Sequence, residues 1–122
     1  MLEVRDQLPG WAVHNDYSRL WALTAYEFWE RTRPDGDYVF FMRAGYTGSW
    51  KYAPVMWTGD SNMNWEGYDG LPSTIPTVNS VGISGFPITS TDIAGYHCIV
   101  SPPSDKELFF RWTELGALLL NP

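Results

Sequence analysis

Residues 43–60 read RAGYTGSWKYAPVMWTGD, and residues 92–96 read DIAGY. Arg43 and Asp92 each end an apolar run and are followed shortly by glycine, and Asp60 comes directly after a glycine. An α/β barrel exposes its catalytic groups in this way, at the carboxyl ends of its strands. The pattern therefore predicts a parallel α/β fold with charged side chains gathered at one edge of the sheet.

Apolar residues at helical spacing predict a first helix over residues 16–32. Asn15 or Asp16 can cap its N-terminus, and the sequence Arg33-Pro34-Asp35-Gly36 ends it with a turn. One face of this helix gathers large side chains: Tyr17, Leu20, Leu23 or Thr24, and Phe28.

Two further helices are predicted in the second half of the chain. One covers about 74–82, is capped by Ser73 and keeps Pro76 within its tolerant first turn. The other follows the capping box Ser104–Glu107, which precedes a run of apolar residues at helical spacing.

Three apolar runs predict strands at Tyr38–Met42, Pro54–Trp57 and Ile83–Thr89. The first run does not alternate, which is typical of a strand that is buried on both faces of a parallel sheet. The link 44–53 is short for a parallel crossover, so we expect a single degenerate helical turn there. The order of elements is α-β-β-α-β-α, as in a parallel α/β layout.

The composition is that of a single domain spanning residues 1–122. Hydrophobic residues make up 44% of the chain, and a net charge of −6 argues against nucleic acid and membranes as partners. The single Cys98 and two unclustered histidines indicate no internal disulfide, no cysteine-based metal site and no zinc site. There is no signal sequence and no apolar segment of roughly 20 residues, so the chain as it stands is expected in the cytoplasm.

Asp60 is the leading candidate for a catalytic group. It follows the second predicted strand, and Gly59 lets the backbone approach a ligand closely. Trp57 is expected to exclude water from it, as the surroundings of a general acid require. The alternative is that Asp60 caps a turn with Ser61 and Asn62.

Other residues near the predicted strand ends also invite a chemical interpretation. Asp92 is a second carboxylate there, with a turn or helix cap as its alternative role. Arg43 can bind a carboxylate of a ligand or pair with Asp60. Neighbours on an extended segment point to opposite faces. We therefore interpret His97 and Cys98 as a hydrogen-bonded histidine and a buried thiol, rather than as a nucleophilic pair.

Several motifs in the same order resemble glycoside hydrolase family 31, the α-glucosidase and α-xylosidase family. The two quoted stretches carry this resemblance, and it continues through Trp11–Asn15 and Lys106–Leu108 to about residue 118. A whole (β/α)₈ barrel has about 250 residues. The resemblance therefore implies a partial barrel, roughly strands five to seven, with about three parallel strands and flanking helices.

The resemblance also implies roles for individual residues. The Trp-x-Gly-Asp motif of the family carries the acid/base aspartate, which falls on Asp60. Arg43 and Asp92 fall on positions that contact the substrate, and Trp57 on one that lines the sugar pocket. The implied partner is a saccharide, an α-glycoside, and no cofactor is implied.

A narrower likeness points to the sulfoquinovosidase branch of the family. It rests on Gly59–Trp65, Asp69–Leu71 and Tyr96, a tyrosine that helps to hold the sulfonate in that branch. Two departures stand out. The family's nucleophile, an aspartate in a Trp-x-Asp-x-x-Glu type motif ahead of residue 10, has no counterpart, and Ala94 stands where the family usually has glycine.

Three hypotheses follow. The chain is a segment of a retaining α-glycoside hydrolase barrel that carries the acid/base but not the nucleophile, and is inactive alone. Alternatively, it is a self-associating, non-catalytic α/β module with at most weak carbohydrate binding, or a weak hydrolase built from Asp60, Asp92 and His97 at an oligomer interface. Open strand edges and apolar faces predict a homo-oligomer, most simply a twofold dimer formed through the strands or through helix 16–32.

Overall fold

The computed structural model describes residues 8–99 and 105–119. A parallel three-stranded sheet is formed by β1 (Phe41–Met42), β2 (Val55–Trp57) and β3 (Ile88–Ser90), in that order. The register places Met42 opposite Met56, and Met56 opposite Thr89. The predicted α/β class, with three parallel strands and flanking helices, is confirmed.

The described residues form four α-helices around this sheet: α1 (Gly10–Val13), α2 (Asp16–Thr32), α3 (Leu71–Ile83) and α4 (Lys106–Leu119). Helix α2 has the bounds that the sequence predicts. Asp16 lies in its first turn and Arg31 in its last, where each charge complements the helix dipole. None of these helices is long and apolar enough to cross a membrane.

The apolar face predicted for α2 is only partly covered, since its leucines Leu20 and Leu23 are half-buried but its two rings are exposed. Ala22 is fully buried, whereas Tyr17 and Phe28 are 66% and 50% exposed. The helix packs through a small residue, which allows a close approach to its neighbours. Two rings on other faces of the helix also make contacts: Tyr26 lies against Tyr52 with ring centroids 5.6 Å apart, and Trp29 stacks on Tyr38 at 5.7 Å.

The strands are shorter than the apolar runs that predict them. β1 uses only the last two residues of 38–42. β3 begins after Pro87, since proline has no N–H to donate within a sheet, and Ile83 instead ends α3. The crossover between β1 and β2 contains the expected single helical turn, a 3₁₀ helix over Ser49–Lys51.

Helices α3 and α4 begin differently from the prediction. Helix α3 starts earlier, so Ser73 lies in its first turn and Pro76 lies within the helix. Helix α4 is capped by Asp105, whose carboxylate accepts the backbone N–H of Leu108 at 2.7 Å. Ser104, the residue predicted to cap it, lies outside the described residues.

A hydrophobic cluster joins α4 to the start of α3 and to the loop after β2. Leu71, Leu108 and Trp112 are buried, and Met63 and Leu115 pack against them. Full burial of one such side chain stabilises a fold by about 1.5–3 kcal/mol. The cluster therefore anchors the loop that leaves the carboxyl end of β2.

Candidate active site

The carboxyl ends of the three strands lie at one edge of the sheet. Arg43 directly follows β1, Asp60 comes shortly after β2, and Asp92 comes shortly after β3. Because the strands are parallel, their ends bring these three charged residues into one region.

Arg43 and Asp60 form an ion pair in which Nη1 donates to Oδ1 at 2.9 Å. The side chains are 61% and 36% exposed. A pair this open to solvent contributes little to stability, and the remaining guanidinium donors are available to other acceptors. Of the two roles considered for Arg43, the structure shows the pairing with Asp60.

Asp92 is half-buried, and its pKa lies above the ordinary aspartate value. Burial is the largest cause, the charge of Asp60 adds to the rise, and the charge of Arg43 opposes it. The three groups therefore interact electrostatically across the strand ends. The sequence predicts that the Trp57 ring shields Asp60 from water. In the structure, Asp92 is the carboxyl group whose pKa is raised by burial.

Two aromatic residues also lie near the strand ends. Trp57 is half-buried at the end of β2, and its ring lies 6.1 Å from that of Phe41. Both rings, with Arg43, line an open apolar cavity of about 450 Å³. Tyr96 is 59% exposed and stands edge-on to His97.

The loop after β3 contains two consecutive left-handed residues. Ala94 has a φ of +72° and Gly95 a φ of +90°. This backbone conformation favours glycine, because a Cβ crowds the following carbonyl oxygen. The glycine that the resemblance implies at position 94 would adopt this conformation without strain, whereas Ala94 is strained there.

His97 and Cys98 differ from their interpretation. Cys98 is exposed, so the buried thiol is wrong. The backbone of His97 pairs with Asn62 in a parallel bridge, but its Nδ1 is buried and has no hydrogen-bond partner among the residues described. The interpretation assumed strand alternation, whereas this segment forms a loop with a single bridge. In the described part of the chain, no three His, Cys, Asp or Glu side chains are grouped to hold a metal.

Asn62 has a structural role that the sequence does not predict, since there it stands only as a possible turn partner of Asp60 and within the Gly59–Trp65 likeness. It is 7% exposed, and its Nδ2 donates to Asp69 Oδ2 at 2.6 Å. Its backbone N–H also donates to the carbonyl of Asp69, at 2.8 Å. The sequence signal was weak, because Asn and Asp separated by seven positions are common in any polar loop.

Comparisons with known proteins identify the family. The model of the "Glycosyl hydrolases family 31 TIM-barrel domain" matches residues 3–120, and the chain belongs to this family. Sulfoquinovosidase from Escherichia coli (strain K12) is 42% identical over 105 residues, which cover 86% of this chain and 16% of the relative. Sulfoquinovosidase from Agrobacterium fabrum is 35% identical with the same coverage.

A solved structure has the same fold. It is a family 31 sulfoquinovosidase from E. rectale in complex with the aza-sugar inhibitor IFGSQ. It matches with a TM-score of 0.82 and 38% identity, over 91% of this chain and 17% of that chain. The resemblance to family 31 and its sulfoquinovosidase branch is confirmed, and the chain spans about a sixth of the length of these relatives.

Proposed function

We propose that this chain supplies the acid/base part of a retaining α-glycoside hydrolase site. Asp60 is the general acid and base, and Arg43, Trp57, Asp92 and Tyr96 contact the sugar. The observation that carries this proposal is the electrostatic cluster of Arg43, Asp60 and Asp92 at the carboxyl ends of three parallel strands. Barrel enzymes of this architecture place their active sites at this edge.

In the proposed reaction, Asp60 protonates the glycosidic oxygen as the bond to the sugar breaks. It then removes a proton from the water that releases the sugar. The exposed guanidinium of Arg43 donates to a substrate oxygen with the donors that Asp60 leaves unused. Trp57 offers an apolar ring face to the sugar beside it.

The second carboxylate that retaining chemistry needs lies about 5–5.5 Å from the acid and acts as the nucleophile. The 122 residues contain no aspartate in the nucleophile motif of the family. We assign Asp92 to the sugar hydroxyls and not to this role. The 122-residue chain by itself is therefore proposed to be inactive, because no covalent glycosyl-enzyme forms.

The proposed substrate class is the sulfoquinovosides, that is, α-glycosides of a sugar that bears a sulfonate. Support comes from two similar proteins, the sulfoquinovosidases of Escherichia coli and Agrobacterium fabrum. Tyr96 supports it as well, because its side chain is exposed and its phenol hydroxyl can donate to a sulfonate oxygen.

Hydrolysis of nitrophenyl α-glucoside and nitrophenyl α-sulfoquinovoside tests the proposed inactivity. We expect the 122-residue chain and its Asp60→Asn variant to release nitrophenol at the same background rate. A rate above background that depends on Asp60 would show that a nucleophile is present after all.

Calorimetric titration with the same glycosides tests the sugar site. We expect Trp57→Ala and Asp92→Ala to weaken any saccharide binding, and Trp11→Ala to leave it unchanged. Trp11 is a matched control, because it is 85% exposed and lies on α1. Affinity that is the same in all three variants argues against a sugar site at the strand ends.

A second candidate is a self-associating, non-catalytic module. One observation favours it. Val39 and Phe41, next to and within β1 at the edge of the sheet, are 75% and 58% exposed. Unpaired edges with large apolar side chains favour pairing with another chain. This candidate requires no chemistry from Asp60.

A further inference from the structure

We propose that Asn62 and Asp69 are positioning residues that form a clamp within the loop carrying Asp60. The clamp holds this loop in the conformation in which Ser61 and Met63 bond to the segment that follows Asp92, and so fixes the spacing of the two carboxylates. The importance of that spacing rests on the function proposed for Asp60. The hydrogen bonds of the clamp do not depend on that function, and their effect is tested without a substrate.

Asn62 closes the loop on itself. Its side-chain Nδ2 donates to Asp69 Oδ2 at 2.6 Å, and its backbone N–H donates to the Asp69 carbonyl at 2.8 Å. A hydrogen bond to a carboxylate is roughly twice as strong as one between neutral groups. Because Asn62 is buried, loss of its partner leaves a buried amide unsatisfied, which is costly.

A second set of hydrogen bonds joins this loop to the segment after β3. The carbonyl of Ser61 accepts the N–H of Tyr96 at 2.8 Å and that of His97 at 3.3 Å. The N–H of Met63 donates to the carbonyl of His97 at 2.9 Å. Residues on both sides of Asn62 are therefore bonded to the second loop.

Gly95 permits this close approach. A Cβ at this position would lie 3.0 Å from the backbone carbon and oxygen of Asn62 and 3.1 Å from the Cα of Met63. Backbone atoms cannot move aside as the end of a flexible side chain can. A side chain at position 95 would therefore push the two loops apart.

The clamp lies next to both carboxylates. Asp60 precedes Ser61 directly, and Asp92 lies just before the left-handed pair that leads into the bonded segment. The pKa of Asp92 is raised first by burial and then by the charge of Asp60. Both causes weaken if the two loops move apart, because Asp92 then gains solvent and the distance to Asp60 grows. Neither Asn62 nor Asp69 needs to touch a substrate in order to act in this way.

Carbon-13 NMR titration of the side-chain carboxyls in the full 122-residue chain tests the clamp. We expect Asn62→Ala to lower the pKa of Asp92 towards its ordinary value, because both burial and the effect of Asp60 weaken. We expect Asp69→Asn to keep most of the shift, since an amide oxygen still accepts from Asn62. The matched control Asn79→Ala, on an exposed face of α3, leaves the pKa of Asp92 unchanged.

An Asp92 pKa that is unchanged in a folded Asn62→Ala variant overturns the clamp. So does an Asp69→Asn variant that loses the shift completely. Circular dichroism shows whether each variant folds. If Asn62→Ala does not fold, Asp69→Ala takes its place, and we expect it to lower the pKa of Asp92 in the same way. The titration uses no substrate, so its result is independent of whether Asp60 acts in glycoside hydrolysis.

Discussion

Asp92 is a carboxyl group that folding makes harder to ionise, since burial and the neighbouring charge of Asp60 raise its pKa. The folded state binds this proton more tightly than the unfolded chain does. The contribution of Asp92 to stability is therefore complete below the unfolded pKa, which is close to the ordinary aspartate pKa of 3.8, and is lost as the pH rises through the folded pKa.

We expect Asp92→Asn to be more stable than the wild type at pH 7, because the amide has no charge to bury. The two proteins should approach equal stability in acid, where Asp92 is protonated. Urea unfolding at a series of pH values between about 3 and 7 measures this difference. An asparagine variant that is less stable at neutral pH would show that the Asp92 charge is satisfied in the fold.

Ala94 and Gly95 offer a matched pair of substitutions at adjacent left-handed positions. Ala94→Gly removes a strained Cβ, but it adds the entropy of glycine and removes a buried methyl group, so we expect a net change below about 0.5 kcal/mol. Gly95→Ala adds the same strain and also a clash with the backbone of Asn62 and Met63, so it should destabilise by more than that. Urea unfolding measures the free energy of unfolding of both variants. Changes of equal size in the same direction would contradict the left-handed conformation given to the two positions.

Helix α4 depends on a side-chain cap whose strength varies with pH. The backbone N–H of Leu108 is the main cause of the lowered pKa of Asp105, and the indole N–H of Trp65, 3.2 Å away, adds to it. The contribution of Asp105 is present above its unfolded pKa and is lost as the pH falls through its lower folded pKa. The cap also links α4 to the loop after β2 through Trp65.

We expect Asp105→Ala to lower the melting temperature at pH 7, and to lower it progressively less in acid, as the pH falls through the lowered folded pKa of Asp105. Asp105→Asn is the matched control, because asparagine still caps a helix but has no charge to titrate. Thermal unfolding followed by circular dichroism checks this expectation. A loss of equal size at both pH values would mean that packing, and not the carboxylate, accounts for the effect.

In the whole folded chain, β1 lies at the edge of the sheet, and its outer side is not paired with another described strand. Tyr17 and Trp21 of α2 line the cavity beside it, and Phe41 is largely exposed. A closed barrel has no such edge. In the separate chain, we expect this apolar surface to pair with a second copy around a twofold axis, since closed symmetry satisfies both copies at once.

Light scattering at micromolar concentration should therefore give twice the mass of one chain. We expect Phe41→Lys to shift the mass to that of a monomer, because a charge on an edge strand opposes pairing. Ile83→Lys is a matched control on α3, where the side chain is 90% exposed, and should remain dimeric. A monomer mass for the wild type would refute the self-association.

Local signals in the sequence were sufficient for the family, the α/β class and the bounds of α2. These depend on apolar spacing, helix ends and short motifs whose members lie within a few residues of one another. The single helical turn in the crossover was also predictable, because the link 44–53 leaves no room for a longer helix. The positions of Arg43, Asp60 and Asp92 near strand ends followed from the same signals.

Burial, in contrast, was decided by contacts between residues that are far apart in the chain. The sequence favoured Tyr17 and Phe28 as the inner face of α2, but Ala22 is the residue that the neighbouring elements cover. Likewise, the shielding of Asp92 and the junction of Asn62 with His97 exist only once the loops after β2 and β3 meet. A residue's own chemistry determines how it responds to burial, but only its neighbours in the folded chain determine whether it is buried.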